Sequence, residues 1–402
     1  MRELEPIRQM VADGLDLSRD ITDEELYSRI DAVLMQLSRD SYFPLSERFY
    51  CRRALYDSFR RLDILSEALD EEGVTEVMVN GAGKIFIEKD GKLRPFERHF
   101  STPQKLEDVV QQIVSAVNRR VNEASPMVDA RLADGSRVNI VLPPVALDGP
   151  VITIRRFHEH PPDMDQLIRW GALDQNAASF LERLVKAKYN LFISGGTGSG
   201  KTTFLGALAG FIASDERVIT IEDSAELRLF HVANLVRLET RAANQEGQYE
   251  ITIRDLIRNS LRMRPDRIIV GEIRGGEAAD MIQAMSTGHN GSISTGHANS
   301  PEDMISRIET MVLMGMDLPL AAIQRQIVSA LDIVVHLGRL RDRSRKVLSI
   351  SEVDGLEEGK VKLRRLFQFR ETGEVNGVVQ GCLDPCGELR HREKLREAGF
   401  EP

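Results

Sequence analysis

One stretch, Gly195-Gly196-Thr197-Gly198-Ser199-Gly200-Lys201-Thr202, limits what this chain can fold into more than any other. It follows the apolar run Leu191-Phe192-Ile193 and leads into Thr203-Phe204-Leu205. A buried strand that ends in glycines and turns directly into a helix lets successive backbone N–H groups converge on an anion, and the helix N-terminus adds positive potential. The spacing is that of a P-loop. In that pattern the backbone of Gly195 to Gly200, with Thr203 just behind, cradles phosphate, while Lys201 reaches the β- and γ-phosphates and the Thr202 hydroxyl holds Mg²⁺. ATP and Mg²⁺ are therefore the expected ligands. A merely structural glycine turn is the competing reading, and the strand before and helix after weigh against it.

A chain of 402 residues has room for two or three domains, each with its own core. The net charge of −9 and an aromatic content of 5% give no footprint for direct nucleic-acid binding. Apolar runs such as Ile268-Ile269-Val270 are far too short to span a bilayer, and Met1-Arg2-Glu3-Leu4-Glu5 does not begin a signal peptide, so a cytoplasmic protein is expected. Cys382 and Cys386, even with His391 nearby, are too few for a zinc site and are read with Cys51 as free thiols.

The order of patterns predicts five segments. Residues 1–62 read as helical: Thr22 and Glu25 have capping-box spacing, Leu26, Ile30, Val33, Leu34 and Leu37 share one face, and a second helix runs through Leu45, Phe49, Leu55, Phe59 and Leu62. The helices are read either as a packing bundle or as a docking site. Residues 63–157 read as α+β, with strands at Val74–Val79, Lys84–Glu88, Met127–Leu132, Arg137–Leu142 and Val151–Phe157 and a helix carrying Leu106, Val109, Val110, Ile113 and Val117. Residues 158–165 form a proline-broken linker in which His158 and His160 are read as solvated.

Residues 166–370 alternate short apolar strands (191–194, 218–221, 267–270, 292–295, 333–337) with helices, which argues for a largely parallel sheet covered on both faces. Ser300-Pro301-Glu302-Asp303 marks one helix start, and Lys346–Val353 with Lys360–Phe369 reads as a hairpin. Residues 371–402, polar and Gly-containing, are expected to be a loosely attached tail.

A P-loop needs carboxylates at neighbouring strand ends, for metal and for water. Val218-Ile219-Thr220-Ile221 ends in Glu222-Asp223, and Arg267-Ile268-Ile269-Val270 ends in Gly271-Glu272. The usual pattern has an Asp at the second position; Gly271-Glu272 departs from it and suggests Mg²⁺ contact through water. Helix capping is the bland alternative for these acids. The segment from Gly288 to Asn299 sets Gly-His at both ends of a strand, and of its two histidines His297 is favoured over His289 for the nucleotide. Arg237 and Arg241 are candidates to stabilise transition-state charge.

Taken in order, the P-loop, Thr220 to Leu227, Val270 to Glu277 and the paired-His segment resemble the Walker A, Asp, Walker B and His boxes of the secretion ATPases of type II and type IV systems and type IV pili. Asp129 to Asn139, Pro143 to Pro150 and Thr153-Ile154-Arg155 are similar to the CpaF/TadA branch, which drives Flp (tight adherence) pili; the resemblance spans Leu65 to Phe369. It implies a RecA-like P-loop NTPase domain preceded by an α+β (PAS-like) domain and an N-terminal helical segment.

It also implies a hexameric ring with nucleotide bound between the two domains, peripheral to the inner membrane through platform proteins. By position, Glu222 would polarise the attacking water and Glu272 would assist Mg²⁺. His297 would contact the γ-phosphate, Arg237 or Arg241 would add charge within or between protomers, and Arg137 and Arg155 would close over the nucleotide about the Pro161-Pro162 hinge. The resulting expectation is an ATP-driven motor for pilus assembly. The alternatives are a type IV secretion traffic ATPase exporting effectors or DNA, a nucleic-acid motor of the same fold, and a nucleotide-gated scaffold.

Overall fold

The structure, a computed structural model, describes residues 4–16, 19–40, 42–89, 91–117, 120–156, 161–241, 243 and 248–400. His158 and His160 lie outside the described residues. The chain divides into two units, residues 1–158 and 159–402.

The first unit begins with α1 (Leu4–Ala12), α2 (Asp23–Asp40), α3 (Leu45–Arg60) and α4 (Ile64–Asp70). The capping box ahead of α2 is formed: Glu25 N–H donates to Thr22 Oγ1 at 3.2 Å, and the Thr22 N–H donates back to Glu25 Oε2 at 3.1 Å. Leu26, Ile30, Val33 and Leu34 bury against Ile7 and Val11 of α1 and Cys51 and Leu55 of α3. Leu45 and Phe49, expected on the inner face of α3, are instead exposed. At 100° per residue they lie roughly 80–120° around the helix from Leu55, so the stripe that faces α2 misses them.

The antiparallel sheet that follows is built from β1 (Val74–Asn80), β2 (Ile85–Lys89), β3 (Lys92–Pro95), β4 (Met127–Arg131), β5 (Arg137–Val141) and β6 (Val151–Arg155), with α5 (Pro103–Ala116) between β3 and β4. Its order is β3-β2-β1-β6-β5-β4. Strand side chains alternate between faces. Val138, Ile140, Ile152 and Ile154 accordingly pack against Leu106, Val109, Val110 and Ile113 of α5, and Arg137 and Arg155, one residue out of phase, fall on the opposite face. They are direct partners across the β5–β6 ladder.

The second unit runs α6 (Met164–Arg169), α7 (Gln175–Lys186), β7 (Leu191–Gly195), α8 (Lys201–Ala209), β8 (Arg217–Glu222), β9 (Asn234–Glu239), α9 (Ile253–Ser260), β10 (Arg267–Val270), α10 (Glu277–Ser286), β11 (Ile293–His297), α11 (Pro301–Gly315), α12 (Leu320–Ala330), β12 (Ile333–Arg339), β13 (Arg345–Glu357), β14 (Lys360–Val375), β15 (Val378–Pro385) and α13 (Glu393–Glu397). Its sheet has the order β15-β14-β13-β12-β7-β11-β10-β8-β9. From β12 to β9 the pairing is parallel, and β13, β14 and β15 add antiparallel. The central strands are buried from end to end, as a sheet with helices on both faces requires. Ser300 caps α11 with Pro301 at its first turn.

The expected loose tail is a correction. β14 continues to Val375, β15 pairs with it, and Leu383, Leu389 and Leu395 enter the same core as Leu191 and Ile193. The Tyr189 hydroxyl donates to the His391 carbonyl at 2.6 Å, and the buried Glu352 carboxylate accepts the Arg390 and His391 N–H groups at 2.9 and 2.7 Å. The apolar residues responsible are spaced too sparsely among polar ones to show a period, so the segment's place is set by what it meets. Cys382 and Cys386 lie in it, both exposed and free.

Candidate nucleotide site

All six parallel strands end at one edge, and strand order reverses at β7: the chain leaves it for β8 on one side and later adds β12 on the other. Such an edge, at such a reversal, is where ligands bind in open α/β sheets. The P-loop leaves β7 there. Gly200 at φ +91° is left-handed, which a glycine adopts without strain, and it sets Lys201 as the first residue of α8.

Lys201 is 8% exposed and held by the loop itself: its ammonium donates to the carbonyls of Gly195 at 3.1 Å and Gly196 at 3.0 Å. It also lies 3.2 Å from His297 Nδ1. An ammonium only donates, so Nδ1 is the acceptor and the imidazole proton sits on Nε2, which is 2.8 Å from Glu272 Oε1. Burial, helped by the nearby cations Lys201 and Arg274, keeps His297 below its ordinary pKa despite Glu272. Glu272 Oε2 accepts from Arg274 at 2.7 Å, and Arg274 also faces Asp223 at 3.6 Å. The sheet brings His297 here through register, since His297 is the direct partner of Gly195.

Glu222 ends β8, three strands from β7, and is 3% exposed. Its carboxylate accepts the backbone N–H groups of Glu226 at 2.9 Å and Leu227 at 3.1 Å. Burial pushes its pKa up to about 7, although these two donors and the Arg237 charge pull the other way. Gly271 makes the space: a Cβ there would stand 2.9 Å from Glu222 Cγ.

Other candidates are placed differently. Arg237 is on β9, the outer strand, and donates to the Ala225 carbonyl at 3.0 Å. Arg241, just beyond, donates to the Tyr249 carbonyl at 2.9 Å. Three strands separate β9 from β7, so neither arginine is near Lys201 within the chain. His289 lies in the turn before β11, at the far end from His297 of a strand whose length is roughly 13 Å at ~3.3 Å per residue. Arg137 and Arg155 belong to the first unit, side by side on the face of its sheet opposite α5.

Thr202, half-buried on the first turn of α8, and the partly exposed Glu272 offer the hard oxygen donors that Mg²⁺ takes alongside water and phosphate. The residues present therefore fit the metal. A buried pair missed by sequence reasoning lies beside the P-loop: Ser194 Oγ is 2.8 Å from His336 Nδ1, and burial lowers the pKa of that ring although the Asn299 backbone pulls the other way. It ties the strand before the P-loop to the loop after His297. A histidine inside Ile333-Val334-Val335-His336-Leu337 was the available signal.

The pattern described as type II/IV secretion system protein matches residues 61–383. This chain belongs to that family. A putative conjugal transfer protein of Mycobacterium tuberculosis is 36% identical over 77% of this chain and 89% of its own length. The type IV secretion system protein VirB11 of Brucella suis is 33% identical over 75% and 91%. The pilus retraction motor PilT with bound ADP shares the fold at a TM-score of 0.52 and 19% identity, over 74% of this chain and 83% of that one.

The α/β architecture expected from sequence, a RecA-like sheet preceded by an α+β sheet and N-terminal helices, is thus the family's. Family members hydrolyse ATP and form hexameric secretion ATPases. The two sequence relatives above are conjugal-transfer and type IV secretion proteins, so the finer assignment to the CpaF/TadA branch does not follow from them. No helix among the described residues is long and apolar enough to cross a membrane.

Proposed function

We propose that the protein is the ATP-hydrolysing motor of a type IV secretion or conjugation-type transfer apparatus. It works as a homo-hexamer on platform proteins at the cytoplasmic face of the inner membrane. The observation that carries this reading is the Lys201–His297–Glu272 chain at the head of a P-loop, in a sequence whose full-length relatives bear transfer and secretion names.

In this reading ATP replaces the partners Lys201 now has: β- and γ-phosphate oxygens take over from the Gly195 and Gly196 carbonyls, and His297, still paired through Nε2 with Glu272, takes up a proton at the freed Nδ1 and donates it to the γ-phosphate. Water attacks the γ-phosphorus, the bond to the β–γ bridging oxygen breaks, ADP leaves with that oxygen, and a carboxylate takes the water's proton. Geometry favours Glu272 over Glu222 for that proton, because Glu272 contacts the histidine beside Lys201 whereas Glu222 is buried and engaged by backbone donors. Thr202 would hold Mg²⁺ with Glu272 assisting through a bound water, and the metal would neutralise charge on the phosphate oxygens. Arg137 and Arg155 close over the nucleotide from the N-terminal unit about Pro161-Pro162, and Arg237 or Arg241, on the sheet's outer edge, serves a neighbouring protomer.

The second reading, assembly of an Flp-type pilus, is favoured by the stretches 129–139, 143–150 and 153–155. Deleting the gene in its host and complementing with wild type or Lys201→Ala separates the two. Loss of export or transfer with filaments intact supports the first; loss of surface filaments with export intact supports the second. ATP turnover by the wild type no faster than by Lys201→Ala would remove the motor altogether.

A further inference from the structure

The reactive cluster lies on one side of the P-loop only. His297, Glu272 and Glu222 come from β11, from the end of β10 and from β8, all on one side of β7, and β12 flanks it on the other. The three phosphates of a nucleoside triphosphate form a linear chain. With the γ-phosphate among Lys201, His297 and Glu272 and the β-phosphate in the backbone cradle, the α-phosphate and nucleoside must leave toward β12.

That side is basic and stiff. The β12–β13 turn is closed by Leu340 N–H donating to the Ser344 carbonyl at 2.8 Å. Asp342 braces it from within, accepting the Ser344 N–H at 2.9 Å and the Ser344 hydroxyl at 2.6 Å, and it also accepts the Val379 N–H of β15 at 2.8 Å. Arg339 and Arg345, direct partners across the turn, both reach the P-loop. Arg345 Nε donates to the Gly198 carbonyl at 3.0 Å. A Cβ on Gly200 would stand 3.3 Å from Arg345 Cδ, and one on Gly198 would stand 3.8 Å from Arg339 Nη1. Arg341, on the same turn, is held away by Glu371 and Glu374 at 2.6 and 2.9 Å.

We propose that Arg339 and Arg345 form the nucleoside-side subsite of the P-loop, binding the α-phosphate of a nucleoside di- or triphosphate. The proposal rests on the nucleotide reading above. ADP fills both the β-cradle and this subsite, whereas inorganic phosphate fills the cradle alone.

The test compares the full-length wild type with Arg345→Ala, Arg339→Ala and Arg345→Lys. ADP binding is read by calorimetry, inorganic phosphate by its protection against thermal unfolding, and the ligand-free unfolding temperature checks the fold. Each alanine variant is expected to weaken ADP roughly tenfold, as for loss of one charge-assisted hydrogen bond. Phosphate protection should not change, and Arg345→Lys should retain most of the ADP affinity. Equal weakening of ADP and phosphate would mean that Arg345 only props Gly198, and unchanged ADP affinity would mean that the hairpin does not meet the nucleotide; either overturns the subsite. A wild type that binds no ADP removes the nucleotide reading itself.

Discussion

Glu222 and Glu272 carry the same carboxylate at the ends of adjacent strands in different surroundings, one buried among backbone donors and the other beside His297 and Arg274. Glu272→Gln is expected to keep ATP binding and lose roughly 10²–10⁴-fold in turnover, the range for a general base, with Glu222→Gln losing less. The reverse order in steady-state assays would give the proton to Glu222. The Glu222 pKa also predicts a stability profile. It rises from the ordinary 4.5 to about 7 in the folded protein. Between those values the native state therefore holds the proton and the unfolded chain does not, so stability is greatest below the window and declines as pH rises through it. The decline is up to roughly 3 kcal/mol for a shift of this size. Urea unfolding at pH 5 and pH 8 should show Glu222→Gln, which cannot ionise, with a shallower decline than wild type; parallel declines would mean an ordinary carboxylate.

At the scale of elements, the extension formed by the parallel strand β12 and the antiparallel β13–β15, with α13, is part of the P-loop domain. It lays His336 beside the P-loop strand and Arg345 against the loop itself, so the C-terminal residues that brace it bear on the site. Leu389, 7% exposed and packed in the main core, should cost about 2–5 kcal/mol on substitution by alanine. The check is a lowered denaturant midpoint; a midpoint within error of wild type would mark the segment as the loose tail its composition suggests. β9 and β3 illustrate a related difficulty. Asn234–Glu239 and Lys92–Pro95 are edge strands with polar or half-buried faces, and edge positions do not impose the apolar run that made the central strands readable.

For the whole molecule, the proposal that sites are completed between protomers turns on the arginines outside the P-loop cluster. Arg237 and Arg241 sit at the outer edge of the sheet, and Arg137 and Arg155 belong to the other unit. If sites are completed between protomers, ATP turnover per chain rises steeply with protein concentration as rings assemble, and Arg237→Ala lowers it without lowering single-chain nucleotide affinity. A turnover per chain that is flat across concentrations where sedimentation shows rings dissociating would make each chain self-sufficient.

The P-loop, the two strand-end acids and the Gly-His strand were legible in the sequence because their chemistry depends on local spacing: a glycine turn, an apolar run and the residue that follows it. The same local rule found the capping box at Thr22, the Ser300 cap and the central strands. Sequence could not rank Glu222 against Glu272, because burial and backbone donors are set by neighbouring strands. It could not separate His297 from His289 by more than position, because only parallel register with β7 puts one at the P-loop edge and the other at the opposite end. Nor could it place residues 371–400, whose scattered leucines acquire a face only when β14 and the main core are there to receive them.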